Sequence, residues 1–245
     1  MKDSRVIVVG MGEVGRPLFQ ILSRKYSCVE VDVSPVEVSY PCSVLHLCYP
    51  FQISGFFDIT AKYIEKYSPE LTIINSTVAP GTTRKLHTLV QQPIVYSPVR
   101  GKHLRMENDM LRYKKFVAGI AEESTQKALN HFAQAGFSTA SFRNPEIAEL
   151  SKLVETTWLG ILVGWAQEVE RMAAQYGANY DEVNAFIQEI DFLPSHTFPG
   201  QIGGHCVMPN IEILRKEFSS RFLEAIVESN GIKSQESQPV AAKRN

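Results

Sequence analysis

The chain has little cysteine, almost no net charge and no long apolar run, and each shortage argues against a class of protein. Its 245 residues include only four cysteines, so we expect no disulfide framework. Their positions, Cys28, Cys42, Cys48 and Cys206, show no metal-ligand spacing, and we expect no metal site. The 25 basic and 26 acidic residues nearly cancel, so no global field favours nucleic acid or an anionic membrane as a partner.

The sequence also lacks the features of a signal peptide or a membrane span. Its start, MKDSRVIVVG, enters an apolar strand without the basic, apolar and small-residue order of a signal peptide. The longest uncharged apolar stretch, TTWLGILVGWA, is too short to cross a bilayer. We therefore expect a cytoplasmic protein with reduced cysteines, which acts on a small molecule.

Strands and helices alternate through residues 1–143. Continuous β-branched runs such as RVIVVG (5–10) and LTIINST (71–77) are typical of strands buried on both faces of a sheet. Helical patterns lie between them, and KKFVAGI (114–120) reads as a later strand. This alternation predicts an α/β domain, a Rossmann-like doubly wound parallel sheet wrapped by helices on both sides.

A long helix begins where this alternation stops. Asn144 as a cap, Pro145 in the first turn and Gly177 at the end predict one continuous helix. Its middle, residues 158–166, carries no charge on any face, so other protein must cover it. We expect a homodimer through the long helix at 145–176.

The sequence after the long helix predicts further helices and one special loop. A helix around YDEVNAFIQEI is followed by a glycine- and proline-rich loop at 193–210 and by a last helix that ends at Gly231. We therefore expect an all-helical dimerisation domain at 144–232. The tail at 233–245 has no apolar period, which predicts disorder.

A glycine motif follows the first strand. The segment Gly10-Met11-Gly12-Glu13-Val14-Gly15 opens a helix, and Asp32 ends the second strand, as in dinucleotide-binding domains. An acid at that position accepts hydrogen bonds from ribose hydroxyls and repels a 2′-phosphate, so we expect NAD rather than NADP. A glycine-rich turn that binds nothing is the alternative. The predicted cofactor contacts are Gly10, Gly12, Glu13, Val14, Gly15, Asp32, Tyr49, Pro50, Ser76 and Thr77.

Cys206 lies in the segment GQIGGHCVMPN, residues 200–210. Cys28, Cys42 and Cys48 lie in or near apolar runs, which is typical of buried structural thiols. The glycines beside Cys206 let a substrate approach closely, and backbone N–H groups in such a loop can stabilise an oxyanion. A bystander thiol is the alternative interpretation.

Five segments together carry a resemblance to a known family. VIVVGMGEVGRPL, NSTVAPGTTRKL, SPVRG, AELSKLVETTWLGILVGWAQEVERMAAQYG and GGHCVMPN occur in the order seen in the UDP-glucose/GDP-mannose dehydrogenases. Members of that family oxidise a sugar C6 alcohol to a carboxylate in two NAD-dependent steps, through a thiohemiacetal on the loop cysteine. The resemblance implies that Cys206 is the nucleophile and that Lys152 stabilises the developing oxyanion. It also implies that Thr77 lies beside the nicotinamide and helps to position the catalytic water.

Three positions depart from the family pattern. Where the family has a glutamate, an asparagine and an aspartate, this chain has Val99, Thr156 and Asn210. The loss of both carboxylates removes the obvious general base for thioester hydrolysis. The remaining residues account for the alcohol-to-aldehyde half of the reaction better than for the second half.

The family's C-terminal domain, which holds the nucleotide of the substrate, has no counterpart in this sequence, so we expect a truncated member. A basic cluster offers another way to bind a phosphate or carboxylate, although a solvated charged loop is the commoner explanation. The cluster comprises Arg100, Lys102, His103, Arg105, Arg112, Lys114 and Lys115. The predicted substrate-binding residues are Arg100, Lys102, His103, Thr156, His205 and Asn210.

These observations favour an NAD-dependent oxidoreductase that acts on the CH–OH group of an anionic, sugar-like or sugar-nucleotide-like substrate. A two-domain β-hydroxyacid dehydrogenase is the first alternative, because it shares the helix lysine and needs no cysteine. A catalytically degenerate protein that binds NAD as a sensor or assembly subunit is the second. The leading hypothesis requires that Cys206 and the glycine turn face one crevice.

Overall fold

The protein is described by a computed structural model. The described residues are 5–33, 36–38, 41–191, 193–194 and 197–237. The chain divides into two compact units between Lys152 and Leu153.

The first unit contains a sheet with the strand order β2-β1-β3-β4-β5-β6-β7. The strands are β1 (Arg5–Val9), β2 (Cys28–Val31), β3 (Cys42–Leu47), β4 (Leu71–Ile74), β5 (Ile94–Tyr96), β6 (Lys115–Gly119) and β7 (Thr139–Ser141). Neighbouring strands are parallel except β5 and β6. Since β1 lies between β2 and β3, the chain winds in both directions from it, and the α/β doubly wound fold is confirmed.

Alternate residues of the central strands enter two separate hydrophobic cores, as the two-residue period of a strand requires. Val6 and Val8 of β1 pack in one core, and Ile7 and Val9 pack in the other. Helices α1 (Gly15–Leu22), α4 (Met106–Arg112) and α5 (Glu122–Gln134) cover the first face. Helices α2 (Phe56–Tyr67) and α3 (Thr82–Val90) cover the second face. The burial of β1 on both faces explains its continuous apolar sequence.

Strand β6 corrects the prediction of a fully parallel sheet. The link from β5 to β6 contains a short 3-10 turn and α4, in which Glu107 pairs with Arg24 in the turn that follows α1. The chain therefore re-enters the sheet at the end where β5 finished, so β6 runs antiparallel to it. The sequence predicted neither α4 nor β7, because both are too short to show a period.

The helices of the second unit begin within the long helix α6 (Pro145–Ala174), which continues from the first unit. The predicted cap is confirmed, since the Ile147 amide donates to Asn144 Oδ1 at 3.0 Å. The helix ends before Gly177, whose φ of 71° is a conformation that glycine adopts at low cost. Helix α7 (Tyr180–Gln188) begins with a reciprocal capping box between Asn179 and Glu182.

The last predicted helix is in fact two. Helix α8 (Val207–Glu217) and helix α9 (Arg221–Glu236) are separated at residues 218–220, where two serines favour a cap over a continuing helix. The predicted end at Gly231 is wrong, because one internal glycine costs only about 1 kcal/mol. Lys233 also pairs with Glu170 of α6 and with Glu236. The predicted disorder is thus wrong for residues 233–236, and residues 238–245 lie outside the described residues.

Among the residues with a described structure, no helix combines the length and the apolar character needed to cross a membrane.

Candidate functional site

The three glycines of the turn after β1 have three different environments. A Cβ atom on Gly10 would lie 2.8 Å from the Tyr49 amide nitrogen, and one on Gly15 would lie 1.8 Å from the Gly10 carbonyl oxygen. A Cβ atom on Gly12 would meet nothing within 4 Å. Gly10 and Gly15 are therefore required by the protein's own packing. Gly12 leaves open space beside the start of α1, where backbone N–H groups favour a phosphate.

Asp32 lies against this glycine turn. Its Oδ1 accepts a hydrogen bond from the Met11 amide at 3.2 Å, and its side chain is exposed. The carboxylate of Asp32 thus lies beside the glycine motif, as an acid that binds ribose hydroxyls would.

The other predicted cofactor residues follow β3 and β4 at the carboxyl edge of the sheet, where the parallel strands end. The Ser76 hydroxyl donates to the Tyr49 carbonyl at 2.5 Å, which joins the two turns, and the Tyr49 hydroxyl lies 2.6 Å from Thr60 Oγ1 on α2. Thr77 is half-buried, and Pro50 is exposed. Ser76 and Tyr49 therefore shape this edge through contacts within the protein.

Glu149 of α6 is a residue that the sequence analysis missed. Its buried carboxylate accepts hydrogen bonds from the Gly81 amide (2.6 Å), the Thr83 amide (2.8 Å) and the Thr83 hydroxyl (2.6 Å). Burial raises the pKa of the Glu149 carboxyl, and the hydrogen bonds from Thr83 and Gly81 oppose that rise. These bonds cap α3 and hold the turn that follows Thr77. The sequence alone does not distinguish Glu149 from an ordinary surface residue, because glutamates are common on the exposed faces of helices.

The basic segment at 100–105 is folded rather than loose. The Asp109 side chain, which is 3% exposed, accepts from the Lys102 amide and from Arg105 Nε, each at 3.0 Å. The Lys102 amide, followed by the Arg105 side chain, lowers the pKa of the Asp109 carboxyl. His103 Nδ1 lies 3.0 Å from Glu13 Oε2, so a predicted substrate residue lies beside the glycine turn.

Arg100 is held by the start of the neighbouring strand. Its Nη2 donates to the Lys114 carbonyl at 2.7 Å, and its guanidinium lies 5.2 Å from the centre of the Phe116 ring. Arg100 therefore stabilises the loop in which it lies by binding to the start of β6. Lys102 and His103 carry side chains that are at least partly exposed.

The loop that carries Cys206 is anchored at its start by two buried side chains. Asn230 of α9 makes two bonds to Ile202: Oδ1 accepts from the amide at 2.7 Å and Nδ2 donates to the carbonyl at 3.1 Å. Gln167 of α6 donates to the Gly200 carbonyl at 2.7 Å and accepts from the Ser229 hydroxyl at 2.9 Å. Neither anchor is predictable from the sequence, because isolated amide residues on helices carry no pattern.

The loop is anchored at its end through α8. Cys206 is exposed and is the N-cap residue of that helix, an end that favours negative charge such as a thiolate. The Asn210 side-chain nitrogen donates to Thr156 Oγ1 at 3.1 Å, and both residues are buried. Two of the positions that depart from the family pattern thus hydrogen-bond to each other and join α8 to α6. Val99, the third, is buried in the core of the first unit.

The remaining predicted residues are placed as follows. Lys152 is the last residue of the first unit and is half-buried, and His205 is exposed in the loop of the second unit. The structure thus brings together the glycine turn, Asp32 and His103 in the first unit. In the second unit it holds Cys206 between two sets of anchors.

An apolar stripe runs along the second-unit part of α6. Val154, Trp158, Trp165 and Met172 recur at intervals of four and seven residues, which places them on one helical face. Trp158 is 55% and Trp165 is 56% exposed. Below, the term Trp stripe denotes these four residues.

Comparison with known proteins agrees with the resemblance. Residues 146–231 match the central domain of the UDP-glucose/GDP-mannose dehydrogenase family. The UDP-N-acetyl-D-mannosamine dehydrogenase of Pyrococcus horikoshii is 26% identical over 214 residues, which cover 80% of this chain and 50% of that protein. The chain therefore spans about half the length of the curated relatives that it matches.

Two solved structures show the same fold. The structure of UDP-D-ManNAc dehydrogenase from Pyrococcus horikoshii has a TM-score of 0.81 at 20% identity and covers 94% of this chain and 68% of its own. The 3-hydroxyisobutyrate dehydrogenase of Mycobacterium tuberculosis has a TM-score of 0.71 at 13% identity and covers 96% and 94%. The family match over residues 146–231 and the sequence relatives make this chain similar to the UDP-glucose/GDP-mannose dehydrogenases rather than to the second class.

Proposed function

We propose that the chain is the NAD-binding and thiol-bearing part of a dehydrogenase that oxidises the CH–OH group of an anionic nucleotide-sugar-like substrate. The observation that carries this proposal is the open space at Gly12, beside the start of α1 and within a turn that bonds to Asp32. A pyrophosphate fits such a space because helix N-termini attract anions. The match to the central domain of a dehydrogenase family and the similarity to a nucleotide-sugar dehydrogenase support the reaction class.

NAD suits the residues present. The backbone of Gly12, Glu13 and Val14 would bind the pyrophosphate, and the Asp32 carboxylate would accept from the ribose hydroxyls. Ser76 and Thr77 belong to the next turns along the same edge. When bound, NAD supplies the acceptor for the hydride that leaves the alcohol carbon.

Two side chains would act on the substrate. Lys152 would stabilise negative charge on the alcohol oxygen through the attraction of its ammonium group, while the hydroxyl proton passes to solvent water. The Cys206 thiolate would then attack the aldehyde carbon, forming a C–S bond while the carbonyl oxygen takes up a proton. Loss of a second hydride from the thiohemiacetal carbon to a second NAD would leave a thioester on Cys206. Among the departing positions, Val99 and Asn210 supply no carboxylate that could deprotonate water, so we propose that hydrolysis of this thioester is the slow step.

The substrate's anionic part would meet the basic segment. His103 has a partly exposed side chain beside Glu13 of the glycine turn, and Lys102 precedes it with an exposed side chain; each can bind a phosphate oxygen. We also propose a homodimer through the Trp stripe on α6, because two half-exposed tryptophans on one helix face favour burial against a second copy.

The proposal is tested by following the reaction and the thiol together. The chain is mixed with NAD and a panel of UDP-sugars that includes UDP-N-acetyl-D-mannosamine, and the peptide that contains Cys206 is weighed by mass spectrometry. We expect an initial burst of NADH, then slow turnover, with a substrate-sized adduct on Cys206. Cys206→Ser should form no adduct, and Cys48→Ser is the control thiol change. Formation of the carboxylate product by Cys206→Ser at the normal rate would exclude the thiol mechanism.

A second candidate is a β-hydroxyacid dehydrogenase. It is favoured by the likeness of the fold to 3-hydroxyisobutyrate dehydrogenase over 94% of that chain. In this case 3-hydroxy acids would reduce NAD, Lys152→Met would abolish the reaction, and Cys206→Ser would leave it unchanged. NAD binding without turnover on either panel would instead support a sensor or assembly role.

A further inference from the structure

Lys115 is a buried lysine whose ammonium group is bound by neutral oxygen atoms. It is 4% exposed, although it ends a segment rich in exposed basic residues. Its Nζ donates to the carbonyl oxygens of Ser97 (2.9 Å) and Pro98 (3.1 Å) and to Asn75 Oδ1 (3.4 Å). Each of its three protons therefore has an acceptor within the protein, so Lys115 does not act as one of the substrate-binding cations of the basic cluster.

Lys115 joins the turns that follow two neighbouring strands. Because β6 is antiparallel to β5, its first residue lies at the carboxyl end of β5, where Ser97 and Pro98 also lie. Asn75 directly follows β4, the parallel neighbour of β5. This edge of an α/β sheet is where cofactors and substrates bind.

Asn75 extends the connection into the protein interior. Its Nδ2 donates to the Ile73 carbonyl at 3.2 Å and to His46 Nδ1 at 3.1 Å, which leaves Oδ1 for Lys115. Since His46 Nδ1 accepts, the proton of the neutral ring is on Nε2, and it is donated to His131 Nε2 at 3.0 Å. A directed chain of hydrogen bonds thus runs from Lys115 through Asn75 and His46 to His131 on α5.

We propose that Lys115 is a positioning residue that ties the turn at 75–77 to the turn at 97–99 and thereby holds Ser76 and Thr77 ready to receive NAD. The proposal rests on the function proposed above. Its physical basis is entropic. Because Lys115 hydrogen-bonds to both turns, their backbone is already restricted before NAD binds, and less conformational entropy is lost on binding.

The protonation of Lys115 gives the proposal a pH signature. Burial is the largest of the effects that lower the pKa of Lys115 to about 7, and the positive charges of Arg100 and Lys152 contribute to the same shift. The neighbouring Cys48 thiol opposes this shift, but burial raises its own pKa to about 12, so it is neutral at pH 7. Above pH 7, the amine of Lys115 keeps two protons for three acceptors.

His46 and His131 do not compete in this range. Burial lowers the pKa of His46 well below its ordinary value and that of His131 to about 4, so both rings are neutral at pH 7. As pH rises through 7, therefore, Lys115 is the member of the chain that loses a proton. We expect NAD affinity to weaken over this range.

The test compares Lys115→Met with Lys114→Met, an exposed neighbour. Calorimetry measures NAD binding to each protein from pH 6 to pH 8.5. Hydrogen exchange of the cofactor-free chain measures the mobility of peptides that cover residues 71–79 and 94–101. We expect Lys115→Met to bind NAD about tenfold more weakly, to lose the pH dependence near 7 and to exchange faster in both peptides, whereas Lys114→Met should match the unmodified chain.

The outcomes separate this proposal from the proposed function. Unchanged exchange of both peptides in Lys115→Met would overturn the positioning role, whether or not NAD binds. Failure of every variant and of the unmodified chain to bind NAD would overturn the proposed cofactor, while faster exchange would still support the tie between the turns. If Lys115→Met does not fold, a flat pH profile of NAD affinity in the unmodified chain overturns the proposal, and a one-proton change near pH 7 supports it.

Discussion

The two units differ in the kind of polar side chain that they bury and in the aromatic side chains that they expose. The first unit buries His46, Lys115 and Glu149 beneath or beside its binding edge, each held by hydrogen bonds to its own side chains and backbone. The second unit leaves large aromatic side chains such as Trp158 and Trp165 more than half exposed. The buried charged and titratable groups of the first unit therefore have their hydrogen-bond partners within that unit. The second unit holds its thiol loop with a few amide anchors and leaves an apolar helix face exposed.

The largest expected effect comes from a substitution in the close packing between Gly15 and Gly10 of the first unit. Gly15→Ala would place a carbon 1.8 Å from the Gly10 carbonyl oxygen, a backbone atom that cannot move away cheaply. We expect a loss of about 3 kcal/mol or more of unfolding free energy, measured by urea unfolding. Gly12→Ala is the matched control: it should keep normal stability, yet weaken NAD binding. Equal stability of the two variants would contradict the packing argument.

The next effect concerns the exposed face of the second unit. If a second copy covers the Trp stripe, Trp158→Glu places a charge within an apolar interface, and truncation of such an aromatic anchor alone costs about 2–4 kcal/mol. We expect light scattering to give a dimer for the unmodified chain and a monomer for this variant. Phe222→Glu, at an exposed aromatic on α9, is the control and should remain dimeric. An unmodified chain that is monomeric at micromolar concentration would rule out the dimer.

The buried histidines make the first unit sensitive to acid. His131 has its pKa lowered by burial from 6.5 to about 4, so the unfolded chain binds a proton more readily between these values. The free energy of unfolding should therefore fall by about 3 kcal/mol as pH drops through this window. His131→Gln replaces the ring with an amide that does not titrate. Its unfolding midpoint should change less between pH 6.5 and pH 4, and an unchanged slope would show that the acid sensitivity arises elsewhere.

The smallest effect tests the anchors of the thiol loop. Asn230→Leu removes both bonds to Ile202 and leaves its amide and carbonyl unsatisfied, at a cost of about 1–3 kcal/mol. We expect faster hydrogen exchange at residues 200–206 and an altered rate of Cys206 alkylation. Ile226→Ala destabilises the same helix without touching the loop, so it should lower stability but not change the alkylation rate. The same alkylation rate in Asn230→Leu would mean that Asn230 does not position the thiol.

The features that the sequence predicted correctly depend on residues that lie close together in the chain. The strands, the start of α6 at Asn144 and the acid after β2 are local patterns, and the structure contains each of them. The features that the sequence did not predict involve single residues whose partners lie far away in the sequence. Glu149 contacts residues more than sixty positions away, and Lys115 lies among basic neighbours that are exposed, so neither carries a periodic signal.

The sequence by itself determined the α/β class, the glycine turn with its acid and the family resemblance, because each depends on neighbouring residues or on a spacing along the chain. Only the tertiary structure decided that β6 turns back against β5, that Lys115 is buried with neutral acceptors and that Asn230 holds Ile202. The physical reason is that a lysine or an asparagine is chemically the same residue in water and in a protein interior. Its role is set by which distant backbone oxygens and amides the fold brings within hydrogen-bond distance.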